Sequence, residues 1–252
     1  MENSNRSQKT KRFITGFIAA IAIAAAIFGI RWATYARPPL PEAVEALESD
    51  NAVRVNTEPW LAFSPAQAEA ETGLIFYPGG RIDPRGYAPL MHAISMEGYL
   101  VVIPEMPLNM APFHINAARE IQAHNPEIDH WAIGGHSVGG TMAALHAKNN
   151  TAAIDALIFW ASYPATDIRM LGESMPVTLV YGSTDPMVND ESVDERRDLL
   201  PENTHYVRIG GGDHHQFGSY MTREGEDFAE ISREEQHRQI LQATLDFLDL
   251  VD

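Results

Sequence analysis

The sequence predicts an α/β fold: a mainly parallel central sheet with helices on both faces. Two observations carry this. Short apolar runs of four to six residues alternate along the chain with longer amphipathic stretches, as in repeated β-α units. The chain of 252 residues, 45% apolar and 21% charged, has the size and composition of one well-buried domain plus a short extra segment. The expected strands are Val53–Phe63 (one or two), Leu74–Tyr77, Leu100–Ile103, Trp131–Gly134, Leu157–Ala161, Val177–Tyr181 and His205–Ile209. Helices are expected over Tyr87–Met96, Ile115–His124, Val138–Lys148, Asp190–Leu200 and Arg233–Leu250. The last shows a 3.6-residue apolar rhythm in Ile240, Leu241, Leu245 and Leu248.

The first 50 residues read differently. Residues 13–30, FITGFIAAIAIAAAIFGI, form an unbroken run of apolar, small and one hydroxyl residues. As a helix this run is roughly 27 Å long, close to the thickness of a hydrocarbon core. Lys9, Lys11 and Arg12 precede it, and Arg31, Trp32 and Tyr35 follow it. That pattern is expected of a transmembrane signal-anchor, with residues 1–12 in the cytoplasm and the body outside the cytoplasmic membrane. A cleaved signal peptide, with a cut after Thr34-Tyr35-Ala36 and a secreted body, is the alternative. A buried core helix is the third reading, and it lacks the polar face such a helix needs. Residues 31–50, with Arg37-Pro38-Pro39-Leu40-Pro41 inside them, read as a stiff linker, and 51–252 as the globular domain.

Charge and composition exclude several functions. Net charge is −16; residues 1–37 hold six basic residues and one acid, so the remainder holds 12 basic and 33 acidic, a net of −21. Such a surface repels phosphate backbones, which argues against nucleic acid as a partner. There is no cysteine, hence no disulfide, thiolate metal site or cysteine nucleophile.

The motif that carries chemistry is Gly135-His136-Ser137-Val138-Gly139, a G-x-S-x-G between a predicted strand and a predicted helix. A sharp strand-to-helix turn needs small flanking residues, Gly135 and Gly139, and presents the Ser137 hydroxyl at a helix N-terminus. An oxyanion formed there would meet the amide of Val138. A second amide is expected from the glycine pair after Leu74–Tyr77, on Gly80, with Arg81 as the competitor. An acid and a histidine should follow in that order. Asp185 lies in the loop after Val177–Tyr181; Asp167, shortly after Leu157–Ala161, is its rival. Of ten histidines, only His214 and His215 sit in the glycine-rich loop after the last strand, where an imidazole can reach the serine as a general base. Asp213 beside them raises a metal alternative, but no ligand set of suitable spacing completes it, and neither metal nor cofactor is expected.

The stretches YPGGRIDPRGYAPL (77–90), YLVVIPEMPLNMA (99–111), IGGHSVGG (133–140), LIFWASYP (157–164), YGSTD (181–185), GGDHHQFGSY (211–220) and SREEQ (232–236) together resemble a bacterial branch of the α/β-hydrolase superfamily, alpha/beta hydrolase family 5. The resemblance implies the α/β-hydrolase fold, with the nucleophile on Ser137, the acid on Asp185 and, from the pattern G-G-x-H-x-Q-F-G, the histidine on His214. It implies a hydrolase but no substrate. A carboxylesterase-like activity on small or accessible acyl esters is expected. A thioesterase or other acyl hydrolase, and a catalytically silent anchored binding protein on the same fold, are the alternatives. About a dozen residues separate Ala161 from Val177, too few for a cap domain in the usual place.

Overall fold

The structure, a computed structural model, describes residues 23–32, 34–173 and 175–251. The chain divides into two units, residues 1–35 and 36–252. In the first, residues 23–32 are helical and Ile27 and Phe28 are exposed. Among the described residues no helix is long and apolar enough to cross a membrane; residues 13–22 of the expected span lie outside them.

The second unit opens with a short helix α1 (Pro41–Glu45) and continues β1 (Val53–Asn56), β2 (Leu61–Pro65), β3 (Thr72–Tyr77), α2 (Ala88–Met96), β4 (Leu100–Ile103), α3 (Ala117–His124), β5 (His130–His136), α4 (Val138–Asn149), β6 (Ala156–Trp160), β7 (Val177–Gly182), α5 (Asp190–Asp194), β8 (His205–Ile209) and α6 (Arg233–Leu248). The eight strands form one sheet in the order β1-β2-β4-β3-β5-β6-β7-β8. β1 and β2 are antiparallel to their neighbours, and every other pairing is parallel.

Strands buried on both faces explain the continuous apolar runs. Side chains alternate between two cores. Leu74, Phe76, Val101, Ile158 and Trp160 pack on one side with Leu90, Met91 and Ile94 of α2 and Ile240 and Phe247 of α6. Ile75, Tyr77, Val102, Leu157 and Phe159 pack on the other with Ala117, Ala118 and Ile121 of α3 and Ala143, Ala144 and Ala147 of α4. The alanines and glycines of α4 let that helix lie close on the sheet directly behind the elbow.

Two expectations need correction. The body begins at Ala36, so most of the expected 31–50 linker belongs to it: Arg37 bridges Ile82, Pro39 bridges Tyr220, and α1 follows. Proline removes a donor but leaves the carbonyl, and Pro38 O accepts from Met221 N at 2.9 Å. The helix expected over Asp190–Leu200 breaks into α5 and a 3-10 turn, Arg197–Leu199. Between β6 and β7 the described residues hold one 3-10 turn, Arg169–Glu173, and no cap domain.

Candidate active site

β3, β5, β7 and β8 are mutually aligned, so their C-terminal ends, and the loops after them, open on one edge of the sheet. Ser137 terminates β5 with φ 53° and ψ −127°, a conformation that costs a non-glycine residue about 1–3 kcal/mol. The neighbours that hold it are specific. Ser137 N donates to Trp160 O at 3.0 Å, and Ser162 Oγ donates to Ser137 O at 2.6 Å. A Cβ on Gly135 would lie 2.5 Å from Tyr77 O, and one on Gly139 would meet the carbonyls of Tyr77 and Pro78. The elbow therefore admits only glycine at both positions.

Gly80 and Val138 lie side by side: a Cβ on Gly80 would meet Val138 Cγ1 at 3.1 Å. Val138 is the first residue of α4, where helix geometry leaves the amide without an internal acceptor. On the glycine turn, Gly79 N donates to Tyr87 Oη at 3.0 Å and Arg81 N to Asn109 O at 2.8 Å. Both amides flanking Gly80 are thus occupied.

Asp185 and His214 meet: His214 Nδ1 donates to Asp185 Oδ2 at 2.7 Å, with the two side chains 4% and 0% exposed. The other carboxylate oxygen accepts from Met187 N at 2.7 Å and Val188 N at 2.9 Å. Of the two adjacent histidines, His215 stands with its ring edge-on to His214 at 5.6 Å, and burial first, His214 second, pull its pKa down. The rival acid, Asp167, is exposed and paired with Arg169 at 2.6 Å, which lowers its pKa to about 2. Among the described residues no hydrogen bond joins Ser137 Oγ to the His214 ring. With Nδ1 on Asp185, Nε2 is the ring nitrogen outside that pair.

The loops carrying the acid and the base are fastened independently of that pair. Thr184 N and Oγ1 donate to Gly212 O at 3.0 and 2.8 Å, and Gly211 N donates to Ser183 Oγ at 2.8 Å. Gln236 on α6 clamps both backbone groups of Asp213: Asp213 N reaches Oε1 at 2.9 Å, and Nε2 reaches Asp213 O at 2.7 Å. The Asp213 carboxylate accepts from the amides of His215, Gln216 and Phe228. It is a loop brace, and among the described residues no cluster of three metal-ligating side chains exists.

Sequence reasoning passed over His136, which it took for the variable motif position. The ring is fully buried. Nε2 lies 3.1 Å from His214 O, and Nδ1 lies 2.9 Å from Tyr87 Oη. A carbonyl only accepts, so Nε2 carries the proton. Burial, with His214 second, holds the pKa well below its ordinary value, so the ring is neutral and Nδ1 accepts from the tyrosine. The chain of donors runs from Gly79 N to Tyr87 Oη to His136 to His214 O. One imidazole thus joins the glycine turn, the elbow and the histidine loop. Its only sequence signal was a histidine between Gly135 and Ser137, ambiguous until Tyr87 is seen to arrive from 49 positions away.

A family comparison covers this whole arrangement. Residues 73–238, two thirds of the chain, match the model of the alpha/beta hydrolase family. The chain belongs to the alpha/beta hydrolase family. Solved structures share its fold at low identity. A predicted CIB-like hydrolase from Thermoplasma acidophilum is 15% identical, with a TM-score of 0.57 over 77% of this chain and 99% of that one. Est1E from Butyrivibrio proteoclasticus is 12% identical, with a TM-score of 0.53 over 79% and 99%. A second Est1E structure, with ferulic acid bound, is 14% identical, with a TM-score of 0.54 over 77% and 98%. No curated protein matches the chain.

Proposed function

We propose that this alpha/beta hydrolase is a serine esterase acting through an acyl-enzyme. The observation that carries the reading is the buried Asp185–His214 pair at 2.7 Å, on the sheet edge where a serine is held at φ 53° beside the amides of Val138 and Gly80. A protein with no use for that serine has no reason to maintain its strain, which disfavours the silent binding protein.

In the proposed reaction Ser137 Oγ attacks the acyl carbon while His214 Nε2 takes its proton. Asp185 holds the imidazole in the required tautomer and stabilises the imidazolium. The amides of Val138 and Gly80 donate to the oxyanion. Collapse expels the alkoxide, which leaves with the proton from His214. Water then attacks the acyl-serine with His214 again as base, releasing the acid and restoring Ser137. Esters with small or accessible acyl groups fit an edge with no cap domain between β6 and β7, and thioesters could enter by the same steps. The reading includes attachment to the cytoplasmic membrane through residues 13–30, with the body outside; the unbroken apolar run and its basic N-terminal flank support it.

A fluorophosphonate probe tests the chemistry. Wild type should gain one adduct on Ser137, and Ser137→Ala none. Folded wild type that stays unlabelled would overturn the proposal. Rates with p-nitrophenyl esters of graded length then define the acyl group, and sedimentation with membranes that resists carbonate washing tests the anchor.

A further inference from the structure

Residues 37–40 lie between the two loops that the proposed chemistry needs most. On one side Arg37 N donates to Arg81 O at 2.7 Å and Asp83 N donates to Arg37 O at 3.1 Å, one residue beyond Gly80. On the other, Met221 N donates to Pro38 O and Leu40 N to Ser219 O, both at 2.9 Å, in the loop that carries His214. Arg37 then closes the arrangement with its side chain. Nη1 and Nη2 donate to Glu226 Oε2 and Oε1 at 2.6 and 3.0 Å, and Nη1 also reaches Met221 O at 3.4 Å. The guanidinium is 16% exposed and the carboxylate 28%. Glu226 is held by Arg37 first and the Arg223 amide second, which lowers its pKa to about 2. A two-pronged charged pair of this kind sets direction as well as distance.

We propose that this segment is a tie that fixes the oxyanion loop relative to the histidine loop, with Arg37 as its positioning residue. The proposal rests on the esterase reading for its catalytic consequence but not for its structural one. Residues 37–40 are therefore part of the site's frame. A spacer would leave both loops to their other contacts, the link through His136 and Ser219 N to Gly86 O at 2.6 Å.

The test uses the full chain with Arg37→Ala, Arg37→Lys, Glu226→Gln and the double variant Arg37→Ala/Glu226→Gln. Hydrogen exchange is followed in residues 79–87 and 212–222, with β5 and β6 as internal reference. Turnover of p-nitrophenyl acetate is measured in parallel. In Arg37→Ala, exchange should rise about tenfold in both loops and not in the reference strands. kcat should fall about tenfold with KM within about twofold, since position and not binding is lost. Arg37→Lys should fall between, because an ammonium cannot form the fork. The double variant should be no worse than Arg37→Ala alone. Unchanged exchange in both loops, or additive losses in the double variant, would overturn the tie. A wild type that neither turned over esters nor took the probe, yet showed this exchange response, would fault the esterase reading and leave the tie standing.

Discussion

Replacing His136 with phenylalanine separates what that ring packs from what it bonds. The ring lies nearly parallel to Phe217, 13° apart with centroids at 5.7 Å, and phenylalanine preserves that contact. Both nitrogens disappear. Tyr87 keeps a hydroxyl proton with no acceptor, and the His214 carbonyl loses its donor, in a region where Tyr87 is 0% and His214 3% exposed. Each buried orphan costs about 1–3 kcal/mol, so the variant should lose about 2–5 kcal/mol. For a body of this size that is a fall of about 5–15 °C in Tm. Well below the transition the variant remains folded, and any loss of reactivity there reports geometry. The glycine turn and the histidine loop lose the anchor they share through His136, and a displacement of about 1 Å lowers the rate about 10²-fold. The assay is the rate of fluorophosphonate labelling at Ser137 at 15 °C (roughly, well under the transition), alongside calorimetry. Tyr87→Phe removes the same link from the other side, so the double variant should cost less than the two single changes together. Labelling within about twofold of wild type and Tm within about 1 °C would refute the reasoning.

Three further outcomes follow from the same geometry. In Asp185→Asn the amide oxygen can stay on Met187 N and Val188 N, turning the NH2 toward His214 Nδ1 and reversing the tautomer; labelling should fall about 10⁴-fold with the fold intact. Gly80→Ala and Gly139→Ala should diverge: the first meets only the side-chain ends of Met110 and Val138 at 3.1 Å and folds with reduced kcat, whereas the second meets backbone carbonyls and should not express as folded protein. Stability should decline as pH falls below about 6.5, because burial lowers the pKa of His136, His146, His215 and His237, the last to about 4. These rings are neutral in the fold and gain protons on unfolding, so their contribution is complete above the unfolded pKa and is lost toward the folded one. His237 alone accounts for up to about 3 kcal/mol by pH 4, and a urea midpoint that stays level from about pH 7.5 to 4.5 would contradict it.

The strands, and the meeting of Asp185 with His214, were legible because local rules govern them. Ser137, Asp185 and His214 each follow a strand, and strand ends in a parallel sheet converge on one edge. The order of the strands places the loops after β5, β7 and β8 there without any knowledge of contacts. His136, Tyr87, Ser162, Gln236 and Arg37 were not legible, since each acts through a partner 23 to 189 positions away. A proline-rich stretch looks like a spacer from composition alone. It became an edge segment here because its carbonyls and the amides of Arg37 and Leu40 found partners on both flanking loops. The helix expected over Asp190–Leu200 starts where the sequence places it, behind an Asn189–Ser192 capping box, but runs only to Asp194 before the chain reforms as a 3-10 turn at Arg197.

An open catalytic edge places a particular demand on the fold. Enzymes with a cap can complete their geometry when the cap closes on substrate; among the described residues this edge has none between β6 and β7, so the proposed esterase would need its alignment beforehand. The hydrogen bonds supply it in layers. Backbone bonds to Trp160 and Ser162 hold the strained Ser137, the Gly212 carbonyl holds the acid loop to the base loop, and His136 holds both the glycine turn and the base loop to the elbow. A Cβ on Gly182 would meet the Gly212 carbonyl, so β7 and the histidine loop are in backbone contact and cannot be repacked by side chains. In the esterase proposed above, preorganisation of this kind would assign binding energy to the transition state without asking the acyl group to drive a closure. It follows that discrimination among acyl groups should be modest and expressed in KM, whereas damage to any of the ties should appear in kcat.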